Sequence, residues 1–216
     1  MTSRRRYLGG LAALTALAGC STGSDGAQSV REHPSGEGID SQPALGPAPG
    51  EAEGTIVAFE DPSCPTCARF ERSTFPQLRS NLIDEGRVSF VFRSIPIIYD
   101  WGEPATMALE ATYDRDESAF WALKSHYYAQ QDAFDSDNVL DLTESFLADE
   151  TGIDAAAVRA DTEAGAFQDA VDLDLRASES AGVSATPTLF LFDADGFVTD
   201  VSGPVGYDSI TGALGL

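Results

Sequence analysis

The sequence predicts an α/β fold with a large helical insertion, and three observations support this prediction. A strand-like run at residues 55–59 precedes a helix-like run from Pro65, and an alternating strand follows at residues 87–93, completing a βαβ unit. From about residue 101 to residue 182, apolar side chains recur at helical spacing. Two further strands then flank a hairpin turn at residues 193–196.

The first twenty residues resemble an export signal. Residues 3–8, Ser-Arg-Arg-Arg-Tyr-Leu, resemble a twin-arginine signal, and residues 8–18 form an apolar run that is too short to span a bilayer. Residues 17–20, Leu-Ala-Gly-Cys, resemble a lipobox, in which the cysteine is lipidated and becomes the mature N-terminus. We therefore expect a lipoprotein signal peptide at residues 1–20, with Cys20 anchoring an extracytoplasmic protein to the cell membrane.

Residues 21–53 are rich in glycine, serine, proline, alanine and acidic residues, and they contain hardly any large apolar side chain. Such a composition is typical of a flexible linker. We therefore predict an acidic tether over residues 21–53, followed by one folded domain over residues 54–216. His33 lies in this tether, and nothing in its surroundings in the sequence predicts a role for it.

The charge balance of the 216 residues is strongly acidic. There are 13 Lys and Arg residues against 35 Asp and Glu residues, for a net charge of -22, and Lys124 is the only lysine. This charge opposes nucleic acids and anionic membrane surfaces as partners. The aromatic residues and periodic apolar runs nevertheless indicate a folded chain. The acid excess predicts a solvated surface suited to high salt, and an acidic surface for a cationic partner is the alternative.

Each remaining element follows from local patterns. The helix from Pro65 is expected to run to about residue 85, with a kink at Pro76 because proline interrupts the hydrogen-bond ladder. Gly86 ends it. The other expected elements are five helices in the insertion, two strands and a closing helix, at residues 103–113, 117–130, 137–150, 154–161, 163–181, 188–192, 197–202 and 208–216.

The chemistry is predicted to lie at Cys64-Pro65-Thr66-Cys67, between the first strand and the first helix. At a helix N-terminus, unpaired N–H groups and the helix dipole stabilise a thiolate. The second cysteine lies about one turn further on and can close a disulfide with Cys64, which makes a reversible two-electron switch. A zinc or iron–sulfur site needs more soft ligands, and with Cys20 lipidated none remain, so we predict no metal and no cofactor.

A second motif extends this interpretation to a family. The Cys-Pro-Thr-Cys motif after a strand, the helical insertion, and Gly-Val-Ser-Ala-Thr-Pro-Thr at residues 182–188 together resemble a thioredoxin-fold protein of the DsbA-like family. Phe-Trp-Ala-Leu at residues 120–123 resembles the start of that family's inserted helix. Gly-Pro-Val at residues 203–205 resembles its closing segment. The resemblance covers residues 54–216, about three quarters of the chain.

The resemblance implies a fold and a set of roles. The fold would be a thioredoxin fold, with a mixed central sheet and a helical insertion. Cys64 would be the exposed nucleophile and Cys67 the buried resolving thiol. Pro187 would be cis and packed against the Cys64–Cys67 disulfide, and Thr186 would offer backbone hydrogen bonds to an extended substrate.

The resemblance also implies that Pro65 and Thr66 tune the reduction potential, and here the chain departs from the family. The family's oxidases often carry histidine at the position of Thr66, which has no charge to offer a thiolate. Thioredoxin-fold proteins often bury an acid six positions before the motif, and this chain has Ala58 there. Glu60 and Asp61 are the candidates to replace it, and the alternative for Asp61 is a turn residue or helix cap.

The expected function is thiol–disulfide exchange on exported proteins through a mixed disulfide. The partners would be exported protein thiols or disulfides and an unidentified redox partner. An extracytoplasmic setting favours disulfide formation over reduction. One alternative is an extracytoplasmic reductase that keeps thiols reduced during cytochrome or metal-centre maturation. The other is a binding module that carries copper or a partner protein through the same two thiols.

Overall fold

A five-stranded mixed sheet lies at the centre of the computed structural model, which describes residues 27–216. The signal-like segment and Cys20 therefore lie outside the described residues. The strand order is β1-β3-β2-β4-β5, with β2 and β3 parallel and the other neighbours antiparallel. The strands are β1 (Ala44–Leu45), β2 (Gly54–Glu60), β3 (Val88–Ser94), β4 (Thr188–Asp193) and β5 (Gly196–Ser202).

The central strand β2 is buried along its whole length and divides the core into two clusters. Successive side chains of a strand point to opposite faces of the sheet. Ile56 and Ala58 join the cluster that contains both cysteines of the motif, and we call this side the motif face. Val57 and Phe59 join the cluster on the other side, which we call the arm face. Glu60, at the end of β2, follows Ala58 in this alternation and belongs to the motif face.

The helix after the motif is shorter than predicted. Helix α1 spans Pro65–Ser73 and ends at Thr74, and α2 (Phe75–Leu78) follows with Pro76 in its first turn. A single π-helical turn, Arg79–Ile83, completes the run. Proline has no N–H to donate and crowds the preceding turn, so the expected kink becomes a break between two helices.

The insertion contains five helices, as the sequence predicted. None of the described helices is long and apolar enough to cross a membrane. A last helix follows β5 and packs on the motif face. These helices are α3 (Gly102–Tyr113), α4 (Glu117–Ala129), α5 (Val139–Glu150), α6 (Ala155–Ala164), α7 (Gln168–Ser180) and α8 (Tyr207–Leu214).

The predicted flexible tether is wrong over its described part, residues 27–53. This segment, which we call the N-terminal arm, packs on the arm face of the sheet. Val30 is 3% exposed and Ile39 is 4% exposed. The arm also supplies β1, which pairs with β3. The amino-acid composition suggested a linker because the arm is attached by a few scattered buried side chains and a short backbone pairing. Neither of these produces a periodic apolar pattern in the sequence.

His33 is part of this packing. Its ring stacks on Phe197 with centroids 4.6 Å apart, and the rings of Phe190 and Phe192 lie within 5.4 Å. Its Nδ1 lies 2.9 Å from Ser35 Oγ. Burial lowers the pKa of His33. The residue is therefore a packing element of the arm face.

An ion pair fastens the arm face to the insertion. Arg93 of β3 donates through Nη1 to Asp174 Oδ1 of α7 at 2.7 Å, and both side chains are almost completely buried. The second oxygen of Asp174 accepts from the backbone N–H of Ser94 at 2.9 Å. Arg93 Nη2 donates to the backbone carbonyl of Glu37 in the arm. The buried guanidinium of Arg93 and the buried carboxylate of Asp174 are thus bonded to each other, and each is also hydrogen-bonded to a backbone group.

Candidate functional site

The two cysteines of the motif are placed by the junction of β2 and α1. Cys64 is the N-cap of α1, with φ -78° and ψ 119°, and its Sγ accepts a hydrogen bond from the backbone N–H of Cys67 at 3.4 Å. Pro65 occupies the first helical position, where its missing N–H costs little. The N-terminal N–H groups of α1 therefore point toward the sulfur of Cys64, as the sequence predicted.

The loop before β4 meets this sulfur from the other side. Cys64 Sγ lies 3.3 Å from the backbone carbonyl oxygen of Thr186. The Thr186–Pro187 peptide bond is cis, as expected from the resemblance. The structure thus brings the two predicted motifs together, although they are more than a hundred residues apart in the sequence.

The two thiols have opposite electrostatic surroundings. The hydrogen bond from Cys67 lowers the pKa of Cys64 to about 6, against burial, which raises it. Burial raises the pKa of Cys67 far above its ordinary value, and the hydrogen bond with Cys64 and the nearby carboxyl group of Glu60 raise it further. At neutral pH Cys64 is therefore the thiolate and Cys67 keeps its proton.

The expected exposure of Cys64 is wrong for this structure. Cys64 is only 3% exposed, and Cys67 is 0% exposed. Pro65 is exposed and Thr66 is half-buried, so these two residues form the visible surface of the motif. Neither cysteine is in a disulfide, so the structure represents the dithiol form. As the resemblance implied, Cys67 is the more deeply buried of the two cysteines.

Asp61 is a turn residue that connects the motif to a neighbouring loop. It is fully buried, and its Oδ1 accepts from the backbone N–H and the hydroxyl of Ser63 at 2.7 and 2.6 Å. Its Oδ2 accepts from the backbone N–H groups of Ile97 and Ile98 at 2.7 and 2.8 Å. With four hydrogen bonds, both carboxylate oxygens are fully used. The structure thus gives Asp61 the alternative role stated above.

Glu60 is the buried acid that remains. It is 0% exposed, and neither of its carboxyl oxygens has a hydrogen-bond partner among the described residues. Burial raises the pKa of Glu60 well above its usual range, the neighbouring Glu71 raises it further, and Lys124 lowers it. The hydroxyl of Tyr128, buried in the same place, likewise lacks a partner. Glu60 therefore holds a proton at pH values where an exposed glutamate is ionised.

Lys124 brings a buried cation to this site from helix α4. Its side chain is 1% exposed, and its Nζ lies 2.5 Å from Glu71 Oε1 of α1. The ammonium also lies 4.4 Å from the ring centroid of Phe75 and 4.9 Å from that of Phe92. Two acids and one cation are therefore buried on the motif face. In the sequence, the signal that could have located Lys124 at this site was its position among aromatic residues on a predicted helix.

An apolar surface borders the motif. Among the described residues, four large apolar side chains are exposed, and three of them are consecutive: Ile97, Ile98 and Tyr99, at 46%, 42% and 55% exposure. Asp61 holds the first two through their N–H groups, and Tyr99 N donates to Ser63 Oγ at 3.1 Å. Within residues 27–216, no cluster of three or more metal-binding side chains was found.

Comparison with known sequences adds a family. A family model described as thioredoxin matches residues 43–209. Disulfide bond formation protein D of Bacillus subtilis is 27% identical over 159 residues, which cover 72% of this chain and 69% of that protein. The match to the probable disulfide bond formation protein D of Bacillus anthracis is 32% identical but covers only 35% of each chain.

Comparison with solved structures adds the fold. The crystal structure of oxidised BdbD from Bacillus subtilis matches with a TM-score of 0.72 and 24% identity, over 82% of this chain and 95% of that one. The crystal structure of Wolbachia pipientis alpha-DsbA1 matches with a TM-score of 0.69 and 19% identity, over 81% and 89%. These likenesses confirm the predicted thioredoxin fold with a DsbA-like helical insertion.

Proposed function

The chain belongs to the thioredoxin family, and we propose that it forms disulfide bonds in exported proteins by thiol–disulfide exchange at Cys64 and Cys67. The observation that carries this proposal is the position of Cys64 Sγ, at the N-cap of α1 and against the Thr186 carbonyl, with a pKa lowered to about 6. The name of the Bacillus subtilis relative, disulfide bond formation protein D, supports the direction of the reaction.

The reaction has two exchange steps. A client thiolate attacks the Cys64 sulfur of the Cys64–Cys67 disulfide, so a client–Cys64 bond forms and Cys67 leaves as a thiolate. A second client thiolate then attacks the client sulfur of this mixed disulfide, and Cys64 leaves. The client loses two electrons, and the protein becomes the dithiol. The lowered pKa of Cys64 favours the second step, because a more stable thiolate is a better leaving group. A redox partner then reoxidises the pair.

Glu60 completes the proton balance of this scheme. Cys67 leaves as a thiolate in a completely buried site, where its charge is strongly disfavoured. Glu60 lies on the same face of the sheet and keeps its proton because it is buried and unpartnered. We infer that Glu60 donates this proton to Cys67 and regains one from solvent, and that it accepts the proton of Cys67 when the pair is reoxidised. Glu60 thus takes the role of the acid that thioredoxin-fold proteins often have at the position of Ala58. It lies two residues further along β2.

The surroundings of the pair provide binding and tuning. The backbone of Thr186 lies beside the reacting sulfur, with its carbonyl oxygen 3.3 Å from Cys64 Sγ, and in this proposal it hydrogen-bonds to an extended client. Pro187 holds the Thr186 carbonyl against Cys64. Pro65 and Thr66 tune the potential only through α1, because neither carries a charge.

The setting is extracytoplasmic in this proposal, with residues 1–19 removed and Cys20 lipidated at the mature N-terminus. One acyl chain holds a protein weakly, so further contacts or a second chain would be needed for stable attachment. Mass spectrometry of the protein from a membrane fraction tests this directly. The expected mature N-terminus is a lipid-modified Cys20, and an unmodified N-terminus upstream of it would contradict the anchor. The acidic surface predicts that activity persists at high salt.

A disulfide reductase on the same site is the second candidate. A Cys64 pKa of about 6 lies between the value of about 7 in thioredoxin and about 3.5 in the strongly oxidising DsbA. The site is thus less strongly polarised than that of the strong oxidants. The two candidates differ in the reduction potential that each requires of the Cys64–Cys67 pair.

Substitution of each cysteine tests the proposed roles. Cys64→Ala is expected to abolish oxidation of a reduced client protein, because Cys67 is buried and protonated. Cys67→Ala cannot form the Cys64–Cys67 disulfide and is therefore also expected to lose client oxidation. When its Cys64 attacks a client disulfide, the resulting mixed disulfide lacks the resolving thiol and is expected to accumulate, which non-reducing electrophoresis and mass spectrometry detect. Full activity in Cys64→Ala would overturn the assignment of Cys64 as the nucleophile.

A further inference from the structure

A groove of about 450 Å³ opens beside the motif, between the loop after β3 and the start of the segment after α4. Pro65, the residue that follows Cys64, lines one end of it. Three aromatic residues, Tyr99, Trp101 and Phe134, also line it. The groove therefore begins within one residue of the cysteine that clients attack.

The floor of the groove is aromatic. Trp101 and Phe134 stack with ring centroids 5.4 Å apart and an interplanar angle of 25°. They are 6% and 7% exposed, so each shows only an edge or part of a face to the groove. Tyr99, at 55% exposure, stands beside them and joins the groove to the exposed apolar residues Ile97 and Ile98.

The rim of the groove is acidic. Asp100 and Asp132 are both exposed, and neither side chain takes part in a hydrogen bond or ion pair among residues 27–216. A third carboxylate, Asp135, accepts from the backbone N–H groups of Asp137 and Asn138. No arginine or lysine of the described chain lines this groove.

A basic side chain on an adjacent surface, that of Arg72, already donates a hydrogen bond to the backbone. Arg72 lines an adjacent depression on the other side of Pro65, which also includes Asp132. Its Nη1 donates to the backbone carbonyl of Tyr128 at 3.0 Å. Arg72 and Asp132 form no ion pair with each other, so both Asp100 and Asp132 remain unpaired among the described residues.

We propose that this groove binds a lysine or arginine side chain of the client polypeptide, a few residues from the client cysteine that reacts with Cys64. The inference rests on the proposed function and adds a client preference to it. A cation placed between free carboxylates and aromatic rings is attracted to both. An extended chain advances about 3.3 Å per residue, so a groove that begins at Pro65 receives side chains close to the reacting sulfur.

Charge complementarity decides the occupant. An apolar segment would gain no favourable electrostatic interaction with the carboxylates of Asp100 and Asp132, and an acidic segment would be repelled by them. The exposed residues 97–99 then contact apolar side chains of the same client segment. Because the whole chain is strongly acidic, any cationic client is also attracted non-specifically, and a test must separate the groove from this general field.

The test uses the oxidised protein and two synthetic peptides, each with one cysteine. In one peptide an arginine lies three residues from the cysteine on both sides, and in the other glutamines replace the arginines. Quenching and mass spectrometry give the rate of mixed-disulfide formation at an ionic strength of about 0.15 M, where charges further apart than about 8 Å are largely screened. The quantity of interest is the ratio of the two rates for each protein variant, because effects of arginine on the peptide cysteine itself cancel between variants.

The groove variant is Asp100→Asn with Asp132→Asn. Its matched control is Glu85→Gln with Glu179→Gln, which changes the net charge equally at two exposed acids, before β3 and on α7. The arginine preference of the wild type is expected to fall about three- to fivefold in the groove variant and to stay unchanged in the control. The reduction potential of the pair is expected to be the same in all three proteins.

The other outcomes separate the two proposals. If the wild type forms mixed disulfides with both peptides at equal rates, the groove proposal fails and the proposed function stands. If it reacts with neither peptide, the proposed function fails first. An equal loss of preference in the control variant assigns the effect to the general field and overturns the groove. If millimolar calcium at constant ionic strength abolishes the preference in the wild type, the groove holds a metal cation, and the client proposal is likewise overturned.

Discussion

The two faces of the central sheet each bury one ion pair that has a further acid near it, and the two sites differ in how their carboxyl groups are hydrogen-bonded. On the arm face, Arg93 and Asp174 form a one-to-one pair with every carboxylate oxygen bonded. On the motif face, Lys124 pairs with Glu71, and Glu60 is left over, buried and without a partner. Near the Arg93–Asp174 pair, burial and the charge of Asp174 raise the pKa of Glu110 to about 8. The two sites therefore use the same kinds of groups, and among the described residues the completely buried acid without a hydrogen bond is Glu60, on the motif face.

The difference indicates different uses of buried charge. A pair whose carboxylate oxygens are both hydrogen-bonded fixes one packing arrangement, in this case β3, α7 and the N-terminal arm. An extra acid beside such a pair cannot ionise easily, so it stores a proton near Cys67. The arm-face pair is therefore expected to affect stability alone, and the motif-face acid to affect chemistry. Each prediction below tests one side of this contrast.

The largest expected effect is on stability, at the arm face. Asp174→Ala leaves Arg93 buried and charged without its carboxylate, which typically costs about 3–5 kcal/mol of unfolding free energy. Urea unfolding followed by fluorescence measures this loss. The reduction potential of the folded variant is expected to match the wild type, and a shifted potential would break the contrast between the two faces.

The next effect is on rate, at the motif face. Glu60→Gln keeps the shape of the side chain but removes its titratable proton, so protonation of Cys67 slows. General acid–base catalysis typically contributes at least about a hundredfold, and we expect a loss of about tenfold to a hundredfold because water can partly substitute. Stopped-flow measurement of client oxidation across pH gives the rate. A loss that is the same at every pH would indicate a structural role for Glu60.

The smallest effect is the stability of the same variant. The folded-state pKa of Glu60 is raised, so between the usual glutamate value of about 4.3 and that raised value the native state binds more protons than the unfolded state. Wild-type stability therefore falls as pH rises through this window, and Glu60→Gln removes that fall. The variant is expected to gain stability relative to the wild type with rising pH. Glu85→Gln, at an exposed acid, is the control and should show no such trend.

Local patterns in the sequence were sufficient for much of the fold and for the reacting groups. The strand, the Cys-Pro-Thr-Cys motif and the helix start follow from residues adjacent in the chain, and the cis Pro187 followed from the family resemblance. The sequence left two candidates, Glu60 and Asp61, for the buried acid near the cysteines. Their hydrogen bonds distinguish them, because Asp61 accepts four and the carboxyl group of Glu60 has no partner among the described residues.

The parts that were missed depend on contacts between distant segments. Lys124 and Glu71 are 53 residues apart, and nothing local to either residue shows that they meet. The groove likewise combines two separate segments, around Trp101 and Phe134. The N-terminal arm was mistaken for a tether because its attachment depends on a few buried side chains, such as Val30, and on backbone pairing. Amino-acid composition indicates neither the buried side chains nor the backbone pairing.

The reduction potential of the Cys64–Cys67 pair tests the central claim most directly. The pair would be equilibrated with glutathione or dithiothreitol buffers at high salt, and its thiols counted after alkylation. Because the Cys64 pKa of about 6 lies between those of thioredoxin and DsbA, we predict a potential between about −270 and about −120 mV, more oxidising than thioredoxin. A potential at or below about −270 mV would make the protein a reductant and contradict disulfide formation as its function.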